Sequence, residues 1–208
     1  MGLLVFFALT DSEGSNKLDR PSASDASDTP RCTSQARLVE NVKTYEFYGA
    51  RTGDAAESLR QRLLVTNDFE GRQRRFTGQT DWHIEWRACF EPHGIDCRIG
   101  GVVSTVNVTY TLPHWADRDG APPAARGKWD RYLESLMEHE KGHGRIALEI
   151  GVRIGQELVG LGARQSCDVL GAEAARVVEE VMQQGEAQQR EYDRLTAHGT
   201  LQGAHFPF

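Results

Sequence analysis

The sequence predicts an α+β fold, in which a small antiparallel sheet and one short helix precede a long two-helix hairpin. Strict alternation of apolar and polar residues predicts strands between residues 80 and 112. From residue 123 onward, apolar residues recur at three- and four-residue steps, which is typical of helices with one buried side. Because the strands come first and the helices follow, the order favours the α+β class over α/β.

Length and charge limit the classes of function. The 208 residues suit one domain with a poorly ordered end. Asp and Glu outnumber Lys and Arg by 30 to 24, and a net charge of −6 argues against binding to nucleic acid or to an anionic membrane surface. No apolar run approaches the roughly 20 residues of a membrane-spanning helix, so we expect no span.

The first residues indicate a compartment. Residues 2–9 form an apolar run about as long as a signal-peptide hydrophobic region, but no Lys or Arg precedes it. Residues 10–31 have almost no large apolar side chains that could offset the entropy of ordering. We predict a signal remnant and disordered tether over residues 1–31, one folded domain over residues 32–208, and a periplasmic or secreted location. An apolar cytosolic N-terminus is the alternative.

A strand and a helix are predicted next. The aromatic run Tyr45-Glu46-Phe47-Tyr48 has the character of a strand, which Gly49 stops. An amphipathic helix is expected over residues 54–65, where Asp54 can be the N-cap and Glu57 completes a capping box.

Two strands then form an expected antiparallel hairpin. They run through residues 82–90 and 102–112, and the loop over residues 91–96 contains Pro and Gly. Pro113 is expected to end the second strand, because proline cannot donate to a ladder.

Two long helices are predicted in the second half. The first begins after Pro122-Pro123 and is closed by Gly160 and Gly162, and Ser166 can cap the second. The apolar stripe of the first helix consists of Trp129, Tyr132, Leu136, Ala147, Ile150, Ile154, Leu158 and Leu161. That of the second consists of Leu170, Ala174, Val177, Val181, Tyr192 and Leu195.

The first long helix carries the H-E-x-x-H pattern as His139-Glu140-Lys141-Gly142-His143. Four residues turn a helix by about 400°, so both imidazoles project from one side and can bind one divalent ion. Glu140 lies about 100° around the axis, where its carboxylate can act as general base on a water that the ion activates. The pattern therefore predicts His139 and His143 as zinc ligands and Glu140 as the catalytic base of a peptidase.

The motif falls on the apolar stripe of its helix, between Leu136 and Ala147. Buried ionisable groups without partners are unfavourable, and a bound cation can offset this cost. The alternative is that both histidines only hydrogen-bond other core groups. Gly142 and Gly144 lower the helix propensity, and we expect them to leave room for a substrate or another backbone.

A catalytic zinc ion requires a third protein ligand and an open position for water. The second helix runs back along the first and brings residues 192–199 near the motif. His198 is the expected third ligand, with an exposed tail histidine as the alternative. Asp193 is the other candidate ligand, or the group that orients an imidazole. Tyr192 is a candidate stabiliser of the transition state, or simply a core residue.

The four cysteines allow three pairings. We favour Cys97 with Cys167, which joins the sheet to the helical hairpin, and Cys32 with Cys89, which joins the N-terminal segment to a strand. An even number of cysteines agrees with an exported protein.

These residues resemble DUF922, a bacterial family of unknown function that is suspected to contain secreted zinc-dependent proteases. The resemblance covers roughly residues 45–203. It rests on Thr111-Leu112-Pro113, on Trp129 and Tyr132 before the H-E-x-x-H motif, on Cys167, and on Tyr192-Asp193, Thr196 and His198-Gly199. It implies a zincin-like architecture and export. In zincins a peptide adds to an edge strand, so the strand through residues 102–112 or its neighbour is the expected substrate edge, with an interior strand as the alternative.

We therefore expect a Zn²⁺-dependent metallohydrolase, a peptidase that acts on a peptide or protein substrate. A non-enzymatic exported binding module with a structural or vestigial zinc site is the alternative. A third option is an iron site of two histidines and one carboxylate that uses Asp193.

Overall fold

The computed structural model describes residues 32–49, 51–67 and 73–208. The predicted signal remnant and tether, residues 1–31, lie outside the described residues. These described residues form five strands and three helices in chain order, with two short 3-10 turns. They are β1 Gln35–Phe47, α1 Thr52–Gln61, β2 Leu64–Asn67, β3 Gln73–Phe76, β4 Gln79–His93, β5 Asp96–Trp115, α2 Pro123–Gly160 and α3 Cys167–Thr196, with turns at Arg118–Gly120 and Thr200–Gln202. The predicted α+β class is confirmed.

The main sheet has three strands in the order β1-β5-β4 and is mixed, so the prediction of a purely antiparallel sheet is wrong. β4 and β5 form the expected antiparallel hairpin, but β1 pairs parallel to β5. β4 begins at the end of the sheet where β1 ended and runs back to the end where β1 began, so β5 then runs parallel to β1. The strand through residues 102–112 is therefore the interior strand, and within the described ranges its neighbours β1 and β4 are the two edges.

The local limits of two elements differ from the sequence prediction. β5 continues past Pro113. β4 begins with Gln79 opposite Thr111, so beyond that point β5 pairs only with β1 among the residues that the structure describes, and a proline is tolerated where one side of the strand has no partner. α1 begins at Thr52, and the expected capping bond from Asp54 is not formed; the N-cap is Arg51, which makes no side-chain capping bond.

The core lies between one face of the sheet and the helical hairpin. β5 presents alternate residues to this side, as predicted, and α2 packs across them. A second cluster around the start of α2 contains several aromatic rings, and Phe208 packs on it. Its buried rings in the described residues are those of Phe47, Trp115, Trp129 and Tyr132.

The helical hairpin begins and ends close to the predicted residues. α2 starts with Pro123, and Ser166 caps α3 by accepting a hydrogen bond from the Val169 nitrogen. Leu195, which was assigned to the apolar stripe of α3, is instead 59% exposed.

Both predicted disulfides are present, Cys32–Cys89 and Cys97–Cys167. The second joins the start of β5 to the start of α3. Within the described ranges, none of the helices combines the length and apolar character that a membrane crossing requires.

Candidate metal centre

The H-E-x-x-H motif lies on α2 where the two core clusters meet, between Leu136 and Ile146. His139 is 3% exposed, Glu140 is 4% exposed and the His143 side chain is 12% exposed. The apolar stripe therefore does bury the motif. Because three ionisable groups occupy a buried surface, they need partners, and α3 and β4 supply them.

Asp193 of α3 brings one carboxylate oxygen to both imidazoles. Its Oδ1 lies 3.3 Å from His139 Nε2 and 3.1 Å from His143 Nε2. The three ligand atoms lie within 4.8 Å of one another. Two imidazole nitrogens and a carboxylate oxygen are a common donor set for zinc and other transition metals.

The spacing of these atoms fits a small tetrahedral ion. Zinc bonds of about 2.0–2.2 Å at tetrahedral angles separate neighbouring ligand atoms by about 3.3–3.6 Å. The measured distances from Asp193 Oδ1 to the two Nε2 atoms are 3.1 and 3.3 Å. These two distances are therefore close to those of a tetrahedral zinc site, and the donor set fits such an ion.

Burial and charge act in opposite directions on this cluster. Burial raises the pKa of the Asp193 carboxyl, but hydrogen bonds from His139 and His143 outweigh it and hold this pKa well below its usual range. Burial lowers the pKa of His143, but the Asp193 carboxylate and Gln189 outweigh it and raise this pKa above its ordinary value. Asp193 is thus favoured as the anion and His143 has an increased proton affinity, so a metal ion that binds here competes with a proton.

Glu140 is held on the β4 side of the motif. Thr80 Oγ1 donates to Glu140 Oε2 at 2.6 Å. Gly78 leaves room for the carboxylate, since a Cβ at that residue would lie 2.6 Å from Oε1. Burial raises the pKa of Glu140, although Thr80 and the two imidazoles act against this. A fixed carboxylate with an increased proton affinity suits a general base.

His198 lies at the exposed side of the cluster. Its Nδ1 is 3.4 Å from Asp193 Oδ1, and its side chain is 51% exposed. Its ring packs against Phe76 of β3, with the centroids 5.3 Å apart. The structure thus places the expected third ligand beside the alternative one, and Asp193 rather than His198 belongs to the group of three close ligand atoms. The assignment of His198 as a ligand stays a prediction.

The backbone at His198 is unusual. Ala197 and His198 both have positive φ, 49° and 50°, and Gly199 follows with 80°. A left-handed conformation costs a non-glycine residue about 1–2 kcal/mol. It allows the chain to reverse at the end of α3, so that Gly199 packs against the His139 ring.

Two glutamines outside the predicted site hold the remaining ring nitrogens. His143 Nδ1 lies 2.6 Å from Gln189 Oε1, and His139 Nδ1 lies 2.9 Å from Gln202 Oε1. Gln189 occupies a buried position one turn after Gly185 on the stripe of α3, so a polar residue on an apolar stripe was a usable signal. Gln202 lies in the turn after α3, where no periodic pattern could identify it.

Tyr192 packs against both histidines. Its ring stacks on His139 at 5.1 Å between centroids and meets His143 edge-on at 4.9 Å. Its hydroxyl donates to the His139 carbonyl oxygen at 3.2 Å. A role for Tyr192 in stabilising the transition state stays a prediction. For this role the hydroxyl would have to break its hydrogen bond to the His139 carbonyl oxygen.

The two glycines beside His143 admit tyrosine side chains. A Cβ at Gly142 would collide with the Tyr192 hydroxyl, and one at Gly144 would collide with the Tyr110 hydroxyl. The expected room on α2 is therefore filled by two rings rather than by a substrate or another backbone.

The site region falls within a known family model. No match is found among curated proteins or among solved structures. The model of a bacterial protein family of unknown function, DUF922, matches residues 42–199, which include α2, α3 and all three close ligand residues. This match spans more than half of the chain, as the motifs predicted, and the protein therefore belongs to the DUF922 family.

Proposed function

We propose that this protein is a metal-dependent hydrolase, and most concretely a zinc peptidase with a zincin-like domain over residues 32–208. The observation that carries the proposal is the convergence of His139 Nε2, His143 Nε2 and Asp193 Oδ1 beside the buried carboxylate of Glu140. Three protein ligands leave one tetrahedral position for water, as in catalytic zinc sites.

The residues have distinct roles in this proposal. His139, His143 and Asp193 hold the ion. A bound zinc ion supplies Lewis acidity, which lowers the pKa of water and polarises a peptide carbonyl. Glu140 accepts the proton of the attacking water at Oε1, because Thr80 engages Oε2, and then transfers it to the leaving amine. Thr80 is a positioning residue, since it acts through Glu140.

We assign substrate binding to the open edge of β4. Thr80, which contacts Glu140, is the second residue of this strand. In the described part of the chain, β4 pairs only with β5, so its other edge offers free peptide groups close to the catalytic carboxylate. An extended peptide can add to such an edge as a further strand.

The position of His198 favours a second candidate function. Its Nδ1 is 3.4 Å from Asp193 Oδ1, so a rotation of the side chain would bring a fourth protein ligand to an ion held there. Four protein ligands make a structural site. The protein would then be a non-enzymatic exported binding module. The two-histidine, one-carboxylate set is also that of non-haem iron enzymes, so elemental analysis of the purified protein identifies the metal.

Glu140→Gln tests the mechanism, with Glu138→Gln as the matched control. Glu138 lies on the same helix but is exposed and ion-paired with Arg145. We expect Glu140→Gln to bind zinc with wild-type stoichiometry and to cleave a mixed peptide library at least about 100-fold more slowly, and Glu138→Gln to keep both properties. Wild-type cleavage by Glu140→Gln would contradict the mechanism.

Asp193→Asn and His198→Asn separate the two third-ligand assignments. With Asp193 as the ligand, Asp193→Asn loses stoichiometric zinc and His198→Asn retains it, as measured by elemental analysis after gel filtration. The reverse result would assign the third ligand to His198. Loss of zinc in both variants would favour the closed structural site.

The compartment follows from the cysteines. Two disulfides indicate an extracytoplasmic protein, because cytosolic thiols are kept reduced. We propose a periplasmic or secreted location, which agrees with a substrate in the cell envelope or outside the cell.

A further inference from the structure

We propose that Gln189 and Gln202 are positioning residues that hold both imidazoles with the proton on Nδ1, so that both Nε2 lone pairs face the metal position. This inference rests on the proposed metal centre. It assigns a role to two residues that lie outside the H-E-x-x-H motif and contribute no ligand atom.

The orientation of the Gln189 amide is determined by the backbone of α2. Gln189 Nε2 lies 3.0 Å from the His143 carbonyl oxygen, which can only accept a hydrogen bond. The amide nitrogen must therefore be on that side, and Oε1 must face His143 Nδ1 at 2.6 Å. Because an amide oxygen can only accept, Nδ1 must carry a proton, so a ring that gives up its Nε2 proton to a metal ion is neutral and has its lone pair on Nε2.

Gln202 does the same for His139 through one intermediate residue. The Tyr192 hydroxyl donates to the His139 carbonyl oxygen at 3.2 Å, so it accepts from Gln202 Nε2 at 3.0 Å. Gln202 Oε1 then faces His139 Nδ1 at 2.9 Å and requires a proton there. Each histidine is thus held at two atoms, its Nδ1 and its backbone carbonyl oxygen. Gln189 makes both contacts to His143, and Gln202 together with Tyr192 makes them to His139.

The two units come from different parts of the chain. Gln189 is buried on α3, and Gln202 belongs to the turn Thr200–Gln202 after the reversal at His198. The metal position is therefore oriented by the C-terminal turn as well as by the helices. Residues that hydrogen-bond ligating imidazoles typically change metal affinity by about 10–100-fold when they are replaced.

Leucine substitutions test the inference, because leucine is a good helix former that cannot accept a hydrogen bond. Gln189→Leu and Gln202→Leu are compared with Gln188→Leu, whose glutamine is exposed on α3 and donates to Glu149. Gln202→Glu keeps an acceptor for Nδ1, and the Tyr192 hydroxyl can donate to its second oxygen. Zinc affinity is measured by chelator competition, the Co²⁺ absorption spectrum reports the geometry, and the unfolding temperature with excess chelator reports the metal-free fold.

We expect both Gln189→Leu and Gln202→Leu to bind zinc about 10–100-fold more weakly, with an altered Co²⁺ spectrum and a nearly unchanged metal-free unfolding temperature. Gln188→Leu should match the wild type, and Gln202→Glu should recover most of the affinity. A purely structural role would lower the unfolding temperature and would not distinguish Glu from Leu at residue 202.

Wild-type zinc affinity in both leucine variants would overturn the inference, as would an equal loss in Gln188→Leu or in Gln202→Glu. If Gln189→Leu fails to fold, the inference is tested by comparing the zinc affinities of Gln202→Leu and Gln202→Glu. A wild-type protein that binds neither Zn²⁺ nor Co²⁺ would overturn the proposed function itself. Normal wild-type binding with unchanged variants would overturn only the positioning role.

Discussion

Glu140 owes its environment to residues that are distant in the sequence. Thr80 stands 60 positions before it and donates to its Oε2, and Gly78 leaves the space that its Oε1 occupies. The neighbouring motif histidines depend in the same way on α3 and on the turn that follows it. The H-E-x-x-H motif on α2 therefore contains the reactive groups, but contacts from β4, α3 and the following turn determine where these groups lie.

Thr80→Val should lower the turnover of peptide substrate by roughly 10–150-fold, because a hydrogen bond to a charged group contributes about 1.5–3 kcal/mol. Valine keeps the branched shape of threonine, and Thr80→Ser, which keeps the hydroxyl, is the control. Zinc stoichiometry and KM should change little, since Thr80 contacts only Glu140 in the site. Steady-state kinetics that show an unchanged kcat in Thr80→Val would contradict the positioning role.

The sequence predicted the site residues unevenly. His139, Glu140 and His143 could be identified because the geometry of a helix relates positions four residues apart. Asp193 and His198 were identified because an antiparallel helical hairpin returns to the same place. Thr80, Gln189 and Gln202 are ordinary residue types, and their role depends on tertiary contacts that no local period describes.

At the scale of elements, periodicity predicted the type of each long element and left the pairing of strands open. Alternation over residues 82–90 and 102–112 indicates which face is buried, but it is the same for parallel and antiparallel partners. The parallel pairing of β1 with β5 was therefore missed. The helices α2 and α3 were predicted closely, because Pro123 and Ser166 are local signals for helix starts.

The close approach of α2 and α3 at Gly185 is a second consequence of packing. A Cβ at Gly185 would collide with Ile150 Cδ1 and lie 2.7 Å from its Cγ1, so Gly185→Ala should destabilise the protein by about 1–3 kcal/mol. It should also weaken zinc binding, because His143 and Asp193 stand on opposite helices. Urea denaturation and chelator competition measure the two effects.

The double variant Gly185→Ala/Ile150→Val provides the rescue, since valine removes one methyl group from the crowded position. It should recover a substantial part of the lost stability. Gly160→Ala is the control, because a Cβ there meets no atom within 4 Å. Alanine has a higher helix propensity than glycine, so Gly160→Ala should be neutral or slightly stabilising, and equal destabilisation by Gly160→Ala would contradict the steric explanation at Gly185.

At the scale of the whole molecule, the two disulfides connect parts that lie far apart in the chain. Cys97 and Cys167 are 70 residues apart and join the β4–β5 hairpin to the start of α3. Cys97 also exchanges backbone hydrogen bonds with Arg164 in the connection between the helices. The disulfide therefore fixes the start of α3 to the sheet, and the metal centre lies near the other end of α3.

Replacing Cys97 and Cys167 together by alanine should lower the free energy of unfolding by about 4 kcal/mol, the value expected for opening a loop of this length. Chemical denaturation without reductant measures the change. Zinc stoichiometry of the folded fraction should be retained, because no ligand residue contacts this disulfide. A loss below about 1 kcal/mol would contradict the stabilising role.

The central claim is that His139, His143 and Asp193 bind one transition-metal ion. Anomalous diffraction at the zinc absorption edge, from crystals of the full chain grown with one equivalent of Zn²⁺, tests it most directly. We predict one strong peak within bonding distance of both Nε2 atoms and Asp193 Oδ1. The absence of a peak there, or a peak bound by other residues, would contradict the claim.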